Sequence, residues 1–187
     1  IIEEETSLEI NKPSIIETPN QITIDELCKH NDFHPSQIVK VLAYIATCED
    51  NKNYPILLSI RGDQEVNNIK LLNELTHHLN QPVLDIRPIS NEDIEKQGIN
   101  IIPFGFIGPD LSDNLLSKTK VLENKFVRLA DISVLDLKSF ICGNNKLNEH
   151  RVYFNWDLIN TNQVKCDVRK AKAGDRCIHD KKQKLQE

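Results

Sequence analysis

Two apolar runs of strand length, "VLAYIA" at 41–46 and "PILLSI" at 55–60, constrain this chain more than any other feature. A polar stretch too short to hold another element separates them, which predicts a buried antiparallel pair. Directly after the pair, Val66, Ile69, Leu72, Leu75 and Leu79 recur at helical spacing, predicting an amphipathic helix over 65–79. A sheet with a helix laid on it follows. The expected class is α/β (α+β), with a mixed, largely antiparallel central sheet and flanking helices.

Smaller elements are predicted around this centre. Thr23-Ile24-Asp25-Glu26 has capping-box spacing and predicts a helix over 23–31. His34-Pro35-Ser36 predicts a second short helix running through Lys40. "PVLDIRP" reads as a strand and Ser90–Gln97 as a small helix. "IIPFGFIGP" at 101–109 sets two glycines in a strand-like pattern, the mark of a bulge or of close approach to the backbone. "KFVRLADISV" (125–134) predicts a buried strand ending at Asp131, and "LKSFICG" a short helix stopped by glycine. "HRVYFNW" and "VKCDVRKA" alternate and are expected to form a final hairpin.

At 187 residues the chain is long enough for a real core, as one large domain or two small ones. No apolar run approaches a membrane span. A net charge of −5 argues against broad nucleic-acid binding. The head is acidic (Glu3, Glu4, Glu5, Glu9, Glu17). The tail is basic (Lys165, Arg169, Lys170, Lys172, Arg176, Lys181, Lys182, Lys184), a solvated strand and linker or a minor phosphate contact. Cys28, Cys48, Cys142, Cys166 and Cys177 lack paired spacing and fit reduced thiols. No metal site is expected, since adjacent His77 and His78 diverge on a helix. The chain opens Ile1-Ile2-Glu3 and contains no Met, so it is expected to be part of a longer protein.

Phosphate-loop, dinucleotide, nucleophile-elbow and zincin motifs are absent. Taken singly, Lys40 reads as a helix-end dipole partner or a catalytic cation. Asp131 reads as a loop cap or an active carboxylate, and His150 as a strand residue or a reactive imidazole.

Taken together, "RGDQEVNNIKL", "GFIGP", "ICGNN…H…FNW" and "AGD" occur in that order over about Glu17 to Asp175. The pattern resembles the editing (insertion) domain of bacterial-type prolyl-tRNA synthetases, whose members typically read R-G-D-H-E-x-N-E-x-K, G-x-x-G-P and G-A-N…H…N-W. The resemblance implies a YbaK-like fold and hydrolysis of alanine mischarged onto proline tRNA. A synthetic site shaped for proline gains only about 1–3 kcal/mol against a smaller residue, so a second, smaller pocket is needed for fidelity. Thr18, Lys40, Asp131 and His150 match the family's active-site positions. Gly105, Phe106, Ile107, Gly108 and Pro109 match its pocket loop, with Gly143 and Asn144 beside them. The resemblance implies water attack without a protein nucleophile, and oxyanion donors from the 105–109 backbone. His150 is expected to orient the water or to bind the ammonium or ribose. Lys40 is expected to hold the terminal adenosine or its phosphate, Asp131 to fix Lys40 or the α-ammonium, and Thr18 to support by hydrogen bonding. A Gly105→Val change is expected to fill the pocket.

The sequence departs from the family at Gln64, Asn144, Ile38 and Val41, and at Leu158-Ile159 where Arg-Asp is common. The last departure puts in doubt any role for that Arg in holding the strand end or the RNA. Expected boundaries are 1–17 connecting, 18–176 editing domain and 177–187 connecting to the host. Expected partners are the alanine-bearing acceptor end of proline tRNA and the host synthetase, in the cytoplasm and without a membrane. No cofactor is expected here, since ATP and Mg belong to the host's synthetic module. The alternatives are a free-standing trans-editing deacylase for alanine or cysteine, and a degenerate insertion that only binds the acceptor end or stabilises its host.

Overall fold

The computed structural model describes Leu8, residues 11–172 and Asp175. The expected connecting segment 177–187, residues 1–7, 9 and 10 of its 1–17 counterpart, Cys177 and the basic residues beyond Lys172 lie outside the described residues. The "AGD" motif is described only at Asp175.

The two apolar runs form the centre of a five-stranded sheet. They are β2 (Val39–Cys48) and β3 (Asn53–Arg61), paired antiparallel. β4 (Val83–Pro88) adds antiparallel to the outer side of β2. On the other side β5 (Val127–Asp131) and β8 (Val164–Cys166) add in parallel, giving the order β4-β2-β3-β5-β8. A second, antiparallel sheet has the order β1-β7-β6, from β1 (Ser14–Glu17), β7 (Glu149–Phe154) and β6 (Phe140–Gly143). Helices α1 (Ile24–Asn31), α2 (Asn68–Leu79), α3 (Asn91–Gln97) and α4 (Ile132–Leu135) cover them. Mixed, mostly antiparallel pairing with flanking helices is the class the sequence predicts.

Several local expectations are corrected. The segment through Lys40 is a 3-10 turn at Pro35–Gln37 followed at once by β2, so Lys40 sits on a strand and at no helix end. "LKSFICG" contributes a strand, because Phe140, Ile141 and Cys142 are buried on both faces, as an extended chain in a layered core allows. β7 and β8 are no hairpin, since they lie in different sheets. Ser14–Glu17, within the expected connecting segment 1–17, is a strand that pairs along β7 from Ser14↔Val152 to Glu17↔Glu149.

Burial follows the strand period. Val41, Ala43 and Ile45 point to one side of β2, against Ile89, Ile102 and Ile107. Tyr44, Ala46 and Cys48 point to the other, where Leu71 and Leu75 of α2 close the layer. Helix starts carry their caps: Thr23 and Glu26 complete the reciprocal box on α1, and Asn67 accepts from Ile69 and Lys70 on α2.

Two irregularities position the site. First, the β6–β7 ladder runs Gly143↔His150 and Cys142↔Arg151 but then Phe140↔Phe154, so β7 carries one extra residue. Tyr153 takes it up with φ at 56°, a bulge. Alternation is thereby reset. Val152 and Ile141 share a core with Leu27 of α1, while Phe154 turns to the opposite core beside Phe140. Second, β4 pairs with β2 only from Tyr44 onward, leaving Val39–Ala43 as an edge. The bridge Ile38↔Ile141 ties the start of that edge to the second sheet.

Candidate functional site

A cavity of about 400 Å³ opens where β4 has left β2. Its walls are the β2 edge from Ile38 to Tyr44, the start of α1 at Ile22–Leu27, and the bend at Phe104, Gly105 and Ile107. Gly143 and His150 close one end, and Pro88 and Ile89 lie at the other. The volume falls in the range of small-molecule sites, and the lining is mostly apolar with few convergent polar groups.

Thr18 and His150 meet here. Thr18 Oγ1 lies 2.7 Å from His150 Nδ1, and both residues are buried. The strand pairing brings them together, since Ile16↔His150 sets β1 against β7 and Thr18 follows β1 directly, its N–H donating to Asn148 O. Phe106 packs against the imidazole at 5.3 Å between ring centroids. Burial pulls His150 down to about 4, against a hydrogen bond to the Gly105 backbone that pulls it up. The ring is therefore neutral at physiological pH and held between Thr18 and the Gly105 bend.

Lys40 lines the same cavity. Its Nζ donates to Gly62 O at 3.2 Å and to Gln64 O at 2.5 Å, clipping the turn after β3. Desolvation lowers its pKa, opposed by Asp63 and Glu65. Asp63 in turn holds the Arg61 guanidinium at 2.6 Å and 2.8 Å, and Gln64 Nε2 donates to the same carboxylate. Two of the three ammonium protons are committed, leaving one for a ligand. Basic residues of the segment after β8 are also engaged there: Lys170 pairs with Glu65 at 2.9 Å, and Lys172 Nζ donates to Asp63 O.

Asp131 is not brought to the cavity. Its Oδ1 accepts from Ser133 N at 2.9 Å and its Oδ2 from Val168 N at 2.7 Å. It caps α4 and pins the chain after β8, and among the described residues no ion pair joins it to Lys40. The carboxylate is fully buried, and these two main-chain donors satisfy it.

Within the 105–109 loop, the donors sort themselves. Phe106 N–H is spent on Pro103 O and Gly108 N–H on Asn145 Oδ1. Pro109 has none. The N–H groups of Gly105 and Ile107 have no partner among the described residues, and these two residues line the cavity. Gly105 has φ at 86°, and a Cβ there would come within 2.5 Å of Ile22 Cγ2. A valine at 105 therefore strains the main chain and pushes on Ile22, which corrects the simple pocket-filling expectation.

Asn144 faces away, its side chain donating to Glu149 Oε2 at 2.7 Å. The amide that matters to the loop is the neighbouring Asn145. Its side chain accepts from Gly108 N and donates to Asp110 Oδ1, and its N–H donates to Phe106 O. Asp110 forms a bidentate pair with Arg151 at 2.8 Å and 2.6 Å, and Arg151 also donates to Gly143 O. This Arg151–Asp110–Asn145 frame locks the 105–110 loop to Gly143. Gly143 admits no side chain, because a Cβ would sit 2.1 Å from the Phe106 carbonyl carbon. Sequence reasoning missed the frame. Its one signal was that Asn145 lies two residues after Gly143, in the stretch the motif had marked.

No cysteine of the site suits nucleophilic work. Burial pushes the Cys142 thiol up to about 12.

Residues 18–161 match the aminoacyl-tRNA editing domain family. Along all 187 residues the chain is 72% identical to part of the proline--tRNA ligase of Prochlorococcus marinus (strain NATL2A). Over 173 residues, 92% of the chain, it is 46% identical to that of Synechococcus sp. (strain CC9311). The chain spans about a third of the length of these relatives (31% and 29%). Among solved structures, a hypothetical protein superposes with a TM-score of 0.57 at 21% identity, over 85% of this chain and 92% of that one. A putative trans-editing enzyme for prolyl tRNA synthetase does so with 0.52 at 17%, over 85% and 87%. Both share the fold.

Proposed function

The chain belongs to the aminoacyl-tRNA editing domain family, and from that premise we propose that it is the post-transfer editing domain of a prolyl-tRNA synthetase, hydrolysing alanine from mischarged proline tRNA. One observation carries the reading. His150, bonded to Thr18, lines one small apolar cavity together with Gly105 and Ile107, whose N–H groups are unclaimed, and a partly desolvated Lys40.

An aminoacyl ester is already activated, so positioning and charge stabilisation suffice. Water adds to the ester carbonyl, its oxygen forming the new bond to carbon. The carbonyl oxygen takes the developing charge and is met by the Gly105 and Ile107 N–H groups. Collapse breaks the bond to the ribose oxygen, which recovers the proton that the water gave up, and alanine leaves as the acid. His150 keeps the Gly105 bend in place and offers no cationic charge. Lys40, through its one uncommitted proton, binds the ribose or phosphate of the terminal nucleotide. Ile22, tight against Gly105, limits the room beside the amino-acid side chain, so a methyl is admitted and a proline ring is refused.

The matched ligases favour a domain set within a larger synthetase over a free-standing one. On this reading the partners are the acceptor end of proline tRNA and the host enzyme, in the cytoplasm, and no cofactor is assigned to this chain. The test is deacylation of Ala-, Cys- and Pro-tRNA(Pro) by the chain, with Lys40→Ala and His150→Ala as controls. Alanine release lost in both variants is expected. No release of alanine by the parent chain at high concentration overturns the hydrolase reading.

A further inference from the structure

The β2 edge that forms one wall of the cavity has its own hydrogen-bonding pattern. Gly62 N donates to Ile38 O on the β3 side, and Ile89 N donates to Ala43 O on the β4 side. In an antiparallel strand successive residues face opposite neighbours. Even-numbered residues of β2 therefore serve β3, and odd-numbered ones face outward. β4 pairing begins only at Tyr44, so nothing from β4 stands opposite Val41. The outward groups of the cavity stretch are Val41 N–H, Val41 C=O and Ala43 N–H, which lie beyond the end of the β4 ladder on residues that line the cavity.

We propose that this edge is the adenine subsite of the aminoacyl-tRNA terminus, with Val41 C=O accepting from the base's 6-amino group and Ala43 N–H donating to N1. The proposal rests on the editing reading above. A carbonyl and the N–H two residues on, along one edge of an extended strand, present an acceptor and a donor side by side. Adenine's Watson–Crick edge offers the complementary donor and acceptor. Phe104 and Ile89 line the cavity and supply apolar faces for the base. The layout fits a nucleoside bearing an esterified amino acid. Ile38, bridged to Ile141, marks the Gly143–His150 end, and Ala43, bonded to Ile89, marks the far end. The span between them is about 17 Å at the usual strand rise. The amino acid then sits under Gly105, the ribose beside Lys40, and the base along Val41–Ala43.

Because the reading groups are main chain, the test varies the ligand. Alanyl-tRNA(Pro) ending in adenosine, in purine riboside (no 6-amino group) or in 7-deazaadenosine is deacylated by the chain. Purine riboside is expected to lower kcat/KM about 10- to 100-fold, as for one lost hydrogen bond that leaves the Val41 carbonyl unpaired, and 7-deazaadenosine less than about 3-fold. Equal rates for all three overturn the subsite and leave the hydrolase reading standing. A loss confined to 7-deazaadenosine overturns it too, since the other edge is then read. No release from the adenosine-ended tRNA overturns the hydrolase reading. The subsite is then judged by nuclear magnetic resonance titration with the non-hydrolysable alanyl-amide of 3′-amino-3′-deoxyadenosine and its purine riboside counterpart. Shifts of the Val41 and Ala43 amides with the first and not the second support it, and their absence overturns it.

Discussion

The Thr18 hydroxyl lies 2.7 Å from Nδ1 of His150, although 132 positions of sequence separate the two. Both residues are buried, so the contact fixes the face that the imidazole turns to the Gly105 bend. Thr18→Val keeps the volume and removes the bond. Alanine release is expected to fall about 10- to 100-fold in kcat, with stability lowered by about 1 kcal/mol. Thr18→Ser should recover most of both. Single-turnover deacylation and urea unfolding of the two variants check this.

The buried imidazole also sets a pH dependence. Its folded value of about 4 lies below the ordinary 6.5 expected once the chain unfolds. Above pH 6.5 both states are neutral and the group contributes no slope. As pH falls towards 4, the unfolded chain takes the proton first, and the fold loses up to about 3 kcal/mol. Unfolding free energies at pH 7.5 and 4.5 should differ more for the parent than for His150→Gln. An equal change in both would remove the buried neutral ring from the account.

Asp131 predicts the opposite kind of phenotype to Thr18. Asp131→Ala strands the Ser133 and Val168 N–H groups in the core, at a cost of about 2–4 kcal/mol. Its thermal midpoint should drop clearly. Deacylation per folded molecule, measured well below that midpoint, should stay within about 3-fold of the parent. A large loss of turnover at full folding would return the carboxylate to the chemistry.

Gly143 is predicted to tolerate no substitution. A methyl there overlaps the Phe106 carbonyl, and the Arg151–Asp110–Asn145 frame holds that loop from the far side. Gly143→Ala should destabilise by about 1–3 kcal/mol and lower kcat by displacing the Gly105 and Ile107 N–H groups. Serine at 144, whose side chain points to Glu149, should leave kcat nearly unchanged. Comparing the two variants separates loop geometry from general damage.

These residues show what the sequence makes legible. The central strand pair and α2 were plain, because long apolar runs and helical periodicity are local signals. Thr18, Lys40, Gly105 and His150 were found through order and spacing of motifs, and all four border or support the cavity. Asp131 was found the same way, yet its neighbours are Ser133 and Val168. A motif records that a residue type recurs and is silent on whether it caps or catalyses. The Asn145 frame was hidden because Asp110 lies 35 and 41 positions from its partners Asn145 and Arg151, and only a loop–sheet contact joins them. Phe140–Gly143 misled for a local reason: a short run buried on both faces has no period to separate strand from helix.

The extra residue at Tyr153 makes β7 intolerant of length change. His150, Val152 and Phe154 share parity, yet Phe154 belongs to a different core from Val152 only because the bulge intervenes. Deleting one residue between Arg151 and Phe154 straightens the ladder and sets its two ends in conflict. Either Phe154 leaves the packing beside Phe140 or His150 swings out of reach of Thr18. A one-codon deletion there would therefore silence the site without altering any residue that lines it.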